Sequence, residues 1–528
     1  MASLYLGIDL GTTRLKLGAF DAQGKCLGLT HASYELDRPQ PDWAQQDANT
    51  WWRAFTIALA RLGEAVELSR VSALSIVGQG PTVVPVDGAG EPLRPAITWA
   101  DRRSGPQAQW LSEKLRTIVN PEFEVLPRVM WIRDEEPKVY ARTRWFLQPY
   151  DFLSLRLTGE AVTVNFLQDV APWTPERLEV AGLDPAKFPE RTVNLGEVVG
   201  TVAPDVAAGL GLGPDVLVIA GTVDAFGHWI GSGLFEPGRL SNIGGSSEGV
   251  SLAWGEALPD PQHRVHSLPN PFGTGVVVGG AMSNSNNVLG WAARELFGEK
   301  PRGNATSYRG LVEGPSYQLA AGQQRRSYGG ARKALLEAAA KVPAGSRGVL
   351  ALPYLSGERT PIYDPHARVS FVGIGPVSSS AEMARALLEG VAFGVRQIVE
   401  VFGELGGRVN DVVVTGGSAS AGVWNQIKAD VLRRPLRVPE VLDAGVLGAA
   451  IIARSGVEKP FLEFDVEGLA LDLSGVANEM VRLGEWVEPQ EKAANVYDEL
   501  YPLFLELYAG VKDTHDRLAG LRERGLLD

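Results

Sequence analysis

Asp9 stands in the stretch GIDLGTT (7–13), directly after the apolar LYL of 4–6. A carboxylate at the end of a buried strand is unfavourable unless a cation or hydrogen-bond donors meet it. Gly11, Thr12 and Thr13 follow it. A turn of glycine and hydroxyl residues between strands exposes successive backbone N–H groups and hydroxyls, a concavity suited to phosphate. Gly244, Gly245, Ser246 and Ser247 form a second such turn. Either alone reads as an ordinary β-turn; the pair raises the phosphate reading above it. Mg2+ between Asp9 and bound phosphates would make the buried carboxylate tolerable, because Mg2+ takes one or two carboxylates with water and phosphate oxygens. Asp224, in GTVDAFGHW (221–229), occupies another strand end behind a glycine. One carboxylate of such a pair can serve the metal while the other accepts a proton from a substrate hydroxyl. Among 62 acidic residues, only the strand-end setting singles these two out.

The elements that must carry these residues are legible as patterns. Residues 4–33 read as two strands and the start of a third, with DAQG (21–24) as a hairpin turn. An amphipathic stretch begins at Trp51, and VSALSIVG (71–78) and DVLVIAG (215–221) read as further strands. RLSNIGGSSEGVSLAW (239–254) repeats the opening device of strand, small-residue turn, strand. Strands and helices alternate, so the expected class is α/β, with two similar domains facing each other across a cleft. Downstream, 378–405 reads as a long helix, and 409–432 as strand, glycine turn and a helix with Trp424, Ile427 and Val431 on one face. Near the C-terminus, Tyr497, Leu500, Phe504, Leu507 and Val511 recur at helical spacing, as a packing stripe does.

Composition narrows the function. At 528 residues the chain is long enough for several domains. Its net charge of -12, with no Lys/Arg cluster, disfavours nucleic acid as a partner. Cys26 is the only cysteine, which excludes an internal disulfide and a cysteine metal cage. The start MASLYLGIDLG lacks a basic leader, and apolar runs such as GVLGAAIIA (445–453) are far shorter than a membrane span. A cytoplasmic protein without membrane contact is expected. His263 and His266 lack a helical zinc spacing and read as loop residues. There is no GxxxxGK[ST] loop and no GxGxxG after a strand, so neither a P-loop NTPase nor a Rossmann dehydrogenase is supported.

Several stretches together resemble one family: GIDLGTTRLKLGAFD, GTVDA, NIGGSSEG, YLSGERTPIYDPHARVSFVGI (354–374) and VTGGSASAGVWNQIKADVLRRPLRVPEVLDAGVLGAA. In this order, over residues 4 to 455, they are similar to the FGGY carbohydrate kinases of the actin, hexokinase and Hsp70 superfamily. The resemblance implies two actin-like, ribonuclease H-like α/β domains around a central cleft. The expected division is 1–250 for sugar and the first phosphate loop, 251–455 for adenosine, and 456–528 as a helical extension packed on both. It also implies ATP and Mg2+, with Asp9 at the metal and Thr12, Thr13 and Lys16 at the phosphates. Gly245 and Ser246 match the second phosphate loop, and Gly416, Gly417 and Ser418 the adenosine motif. Asp224 matches the catalytic base, beside sugar and metal, while Gln79, Asp101 and Arg103 fall in segments that line the sugar pocket.

Departures bear on specificity. After Gln79, relatives acting on D-xylulose carry Met-His and glycerol kinases Arg-Glu, whereas Gly80 and Pro81 stand here. TWADRRS (98–104) is similar to gluconate kinases. Gly245 replaces a common Thr, Asn286 a common Gly, and Val369 the Gly of an ARG motif. The expectation is an ATP-dependent sugar kinase closest to the xylulokinase branch, acting on a ketopentose; a polyol or gluconate kinase and a non-catalytic ATP sensor are the alternatives. Relatives are often dimers, so a homodimer is possible.

Overall fold

A computed structural model describes residues 3–40, 42–117, 119–120, 124–166, 171–272, 275–298, 329–458 and 473–527. Of the expected C-terminal extension, 459–472 and 528 lie outside these. The first half builds a six-stranded sheet. In chain order its strands are β1 (Leu4–Leu10), β2 (Arg14–Phe20), β3 (Cys26–Ser33), β5 (Val71–Gly78), β7 (Val198–Thr201) and β8 (Leu217–Val223), and a separate two-stranded ladder joins β4 (Gln45–Gln46) to β6 (Ala96–Ile97). The order across the sheet is β7–β8–β5–β1–β2–β3. All seven residues of β1 are buried, as an apolar strand sandwiched on both faces must be. β1, β2 and β3 form the expected antiparallel meander, while β5 pairs parallel with β1. The β2–β3 turn closes with Gly24 at φ 74°, a backbone region that favours glycine. Helix α1 (Asn49–Gly63) covers one face with Trp51, Phe55, Leu59 and Leu62. β8 leads directly into α2 (Asp224–Gly231).

The second half repeats the device. Its sheet contains β9 (Arg239–Gly244), β10 (Glu248–Trp254), β11 (His266–Pro269), β12 (Val276–Met282), β13 (Asp411–Gly416), β14 (Leu436–Pro439) and β15 (Leu483–Val487), ordered β11–β12–β10–β9–β13–β14–β15. β9 and β10 are antiparallel, and β9 pairs parallel with β13, Gly244 opposite Gly416. Because β9 takes its partners from this sheet, the change of sheet falls within 224–238, ahead of the division expected at 250. Helices α3 (Asn286–Phe297), α4 (Ser380–Glu404), α5 (Gly422–Leu432), α6 (Ala444–Glu458) and α7 (Glu491–Glu523) follow. In α5, Trp424, Ile427 and Val431 are buried. Tyr497 and Phe504 of α7 lie with their rings 5.9 and 5.3 Å from that of Phe393 on α4, so the C-terminal stripe is packing. No helix among the described residues is long and apolar enough to cross a membrane.

α6 comes from the second half but packs on β1, β5 and α2. The approach is backbone to backbone: a Cβ on Gly448 would lie 1.9 Å from the Gly227 carbonyl oxygen, and one on Gly7 1.9 Å from that of Val446. Around this crossing a core of Val77, Ile219, Trp229, Leu447 and Ile451 fills the space, with Ala253 and Val277 contributed by the second sheet. α2 and α6 therefore join the two sheets.

Beneath the second turn lies a buried ion pair. Lys428 of α5 donates to Glu248 of β10 and to Asn242 Oδ1 of β9 at 2.7 Å, and Ser285 Oγ donates to Glu248 as well. Lys428 and Glu248 are shut from solvent. Removing one partner of such a pair leaves an uncompensated charge, so Lys428→Met should lower the urea-unfolding free energy by about 3–5 kcal/mol. Replacing both with apolar residues, as in K428M/E248L, should restore most of it in the same measurement.

Candidate active site

The ends of β1, α2 and α6 converge. Asp9, one residue before the end of β1, is buried and lies opposite Lys16 of β2, whose Nζ is 3.2 Å from Asp9 Oδ2. The same ammonium reaches Asp443 Oδ1 at 3.0 Å, just ahead of α6. A Cβ on Gly445 would lie 3.0 Å from both Asp9 Oδ2 and His228 Cε1, so the first turn of α6 closes directly over these two side chains. Asp224 opens α2 and is half-buried, and His228, one turn later, holds its Nδ1 2.7 Å from the Asp224 carbonyl oxygen. Burial, together with the charge of Asp9, raises the Asp224 carboxyl to about 6, against the opposing pull of His228 and Lys16.

Thr12 and Thr13 occupy the β1–β2 turn and are half-buried. The Gly11 N–H donates to the Arg14 carbonyl at 3.1 Å, and the Tyr34 N–H to that of Thr13 at 3.0 Å, which fixes the turn. In the second half, a Cβ on Gly416 would fall 2.7 Å from the Gly244 carbonyl oxygen, and one on Gly244 1.6 Å from Ser418 Oγ. Gly416 sits at φ 77° and Gly417 opens the short helical turn that follows. Gly245 is half-buried and Ser246 exposed. Asn286 adds one bond that glycine could not make: its Nδ2 donates to the Gly244 carbonyl at 3.1 Å, beside the backbone bond from its N–H to the Gly245 carbonyl at 3.1 Å. A Cβ at Gly245 would meet only the Ser247 carbonyl oxygen, at 3.6 Å, so the missing threonine leaves room.

These residues fit a Mg-nucleotide. Asp9 and Asp224 offer hard carboxylate oxygens of the kind Mg2+ takes. Ser418 Oγ and Asn286 Oδ1 are buried and have no hydrogen-bond partner among the described residues. The residues expected at the sugar are more closed. Gln79 and Asp101 are fully buried and Arg103 is 8% exposed. Gln79 Nε2 donates to Gln46 Oε1 at 2.7 Å. Asp101 accepts from the Ala44 N–H at 2.6 Å and from Arg103 Nε at 2.9 Å, and the guanidinium stacks 3.6 Å from the centre of Trp43. The half-buried residues beside them are Gly80, Trp99 and Ala100.

Four residues here were not singled out from the sequence: Gln46, Trp99, His228 and Asp443. His228 carried a signal, one helical turn beyond Asp224. Asp443 carried another, a carboxylate at the head of an apolar helix. Gln46 and Trp99 gave none that spacing could reveal.

Comparison with known proteins supplies the family. The sequence profile for the FGGY family of carbohydrate kinases, N-terminal domain, matches residues 4–231, and that for the C-terminal domain matches 240–456. The xylulose kinase of Escherichia coli (strain K12) is 29% identical over 520 residues, covering 95% of this chain and all of that protein. The gluconokinase of Bacillus subtilis (strain 168) is 26% identical, covering 100% of this chain and 99% of that protein. A solved xylulose kinase structure from Brucella ovis superposes with a TM-score of 0.75 at 25% identity, over 97% of this chain and 100% of the other. The gluconate kinase structure from Lactobacillus acidophilus, at 22% identity, TM-score 0.77 and coverage of 98% and 100%, shares the fold. The chain, with its two sheet-containing domains around converging carboxylates, belongs to the FGGY family of carbohydrate kinases and is an ATP-dependent sugar kinase.

Proposed function

We propose that this kinase phosphorylates a hydroxyl of a ketopentose such as xylulose, with Asp224 as the general base. The observation that carries the reading is the Asp224 carboxylate itself, half-buried at the head of α2 and raised to about 6. An ordinary aspartate is a poor base for a sugar hydroxyl; burial moves this one toward neutrality while leaving it ionised at physiological pH. Thr12, Thr13 and Lys16 would hold the terminal phosphates from the first domain, and Gly245 and Ser246 from the second. Gly416, Gly417 and Ser418 would hold the adenosine. Mg2+ at Asp9 and Asp224 would neutralise charge on the phosphates during transfer. The chain's own part is to place the hydroxyl in line, take its proton on Asp224 and exclude water from the cleft.

Gluconokinases among the relatives keep a sugar acid as the second reading. Arg103, the buried cation that could suit a carboxylate, is already neutralised by its ion pair with Asp101, 2.7 Å from Nη2 to Oδ2. That favours an uncharged sugar. An ADP-release assay across D- and L-xylulose, D- and L-ribulose, erythritol, glycerol and gluconate should show a ketopentose preferred; preference for gluconate or a polyol would overturn the substrate class.

For the base, Asp224→Asn should leave the fold and the affinity for ATP measured without Mg2+ intact while kcat with Mg-ATP falls about a hundred- to ten-thousand-fold. In the unaltered enzyme, kcat/KM should fall tenfold per pH unit below about 6, as the carboxylate takes up its proton. For the metal, Asp443→Asn removes one of the two carboxylates seen on Lys16, so the ammonium competes harder at Asp9. The Mg2+ concentration giving half-maximal rate should then rise about tenfold, equivalent to about 1.4 kcal/mol, with the sugar KM unchanged.

A further inference from the structure

We infer that Gln46 and Trp99 are positioning residues that grip Thr12 at two atoms, set the polarity of its hydroxyl and tie the sugar-side loop to the phosphate turn. The inference rests on the proposed role of Thr12 at the phosphates.

Both residues belong to the small β4–β6 ladder or its immediate continuation. Gln46 ends β4 opposite Ala96 of β6, and Trp99 follows β6 by two residues. Gln46 is almost wholly buried, and all four of its hydrogen-bonding positions are filled. Its Oε1 accepts from Trp51 Nε1 at 3.2 Å and from Gln79 Nε2 at 2.7 Å. Its Nε2 donates to the Thr12 carbonyl at 2.6 Å and to that of Glu35 at 3.1 Å. An indole N–H is a donor only and a carbonyl an acceptor only, so the amide has one satisfactory orientation. Trp51 therefore fixes Gln46, and Gln46 fixes the Thr12 carbonyl.

Trp99 fixes the other end. Its Nε1 donates to Thr12 Oγ1 at 2.9 Å. A hydroxyl has one proton and two acceptor positions. Since the indole can only donate, Thr12 must accept from it, and its own proton is left to be given to another acceptor. A phosphoryl oxygen is such an acceptor. Without the indole the hydroxyl could turn and present a lone pair instead, which would repel the phosphoryl group. The backbone that carries the ring is held in turn: the Trp99 backbone N–H donates to Thr82 Oγ1 at 3.2 Å, and its carbonyl accepts from Arg128 Nη2 at 3.1 Å. Thr98 N–H donates to the Ala44 carbonyl at 3.1 Å, and the Ala44 N–H to Asp101 at 2.6 Å, so residues 44–46 and 98–101 form one unit. Gln79, closed to solvent, belongs to this support through Gln46.

A double-mutant cycle tests the grip. W99F keeps the ring and removes the N–H; T12V keeps the shape and removes the hydroxyl. Both kcat with the preferred sugar and the Kd for Mg-ATP by calorimetry are measured for the two single variants and the pair. Each single variant should lose at least about tenfold in kcat or affinity, and W99F in the T12V background should cost no more than about twofold further, because both remove the same bond. The sugar KM of W99F should stay near that of the unaltered enzyme. Additive losses, or a raised sugar KM as the sole effect of W99F, would overturn the inference. T12V with unaltered Mg-ATP affinity would overturn the role of Thr12 and the inference with it. If the unaltered enzyme phosphorylates no sugar, the kinase reading of the cleft fails on its own while the calorimetric cycle still reports on the grip. Q46E tests the other hand: it can still accept from Trp51 and Gln79 but sets a carboxylate oxygen against two carbonyls. Weaker Mg-ATP binding with an unchanged sugar KM is expected, and unaltered affinity in a folded Q46E would remove Gln46 from the scheme.

Discussion

Backbone touches backbone where α6 crosses α2 and β1, and the candidate active site follows from that contact. Gly7, Gly227 and Gly448 stand where any side chain would drive the elements apart. Glycine inside a helix is unfavourable by about 1 kcal/mol relative to alanine, and the apolar core gathered around the crossing more than offsets it. Three element ends meet as a result. Asp9 arrives on β1, Asp224 on α2, and Asp443 with Gly445 on α6.

Several charges are brought together here. Asp9, Asp224 and Asp443 gather near the Lys16 ammonium, with His228 close to Asp224. Lys16 is bound on two sides, so its position is set by both the hairpin and the head of α6. Carboxylates crowded in a partly dehydrated place have two outlets: a carboxyl can take up a proton, or a divalent cation can join the cluster. The raised value of Asp224 expresses the first. The second is the role proposed for the oxygens of Asp9 and Asp224.

Much of this could be read from the chain. Local pattern located the meander, the strand at 71–78, the pair of strands at 239–254 and the long helices, because alternation and turn chemistry act between near neighbours. Asp9 and Lys16 lie seven residues apart across a hairpin, so their meeting is local too. β9 pairs with β13, more than 160 residues later, and nothing nearby in the sequence shows that pairing. Gln79, Asp101 and Arg103 were expected at the sugar from the resemblance, and their side chains turn inward and bond to Gln46, Ala44 and each other. Direction of this kind depends on strand register and on neighbours from distant segments. The same reason hid Asp443, whose partner Lys16 comes from the other end of the chain.

The placement of α6 also orders events during synthesis. The first sheet is complete once β8 has left the ribosome, but the helix that covers one of its faces is encoded more than two hundred residues later. Val77 and Ile219 lie on that face, with Trp229 of α2 packed beside them. Until α6 emerges, the nascent first half carries an open apolar surface of the kind that binds chaperones or aggregates. The two halves, similar in architecture, are thus not interchangeable as folding units, and severing the chain between them would strand the first without its cover.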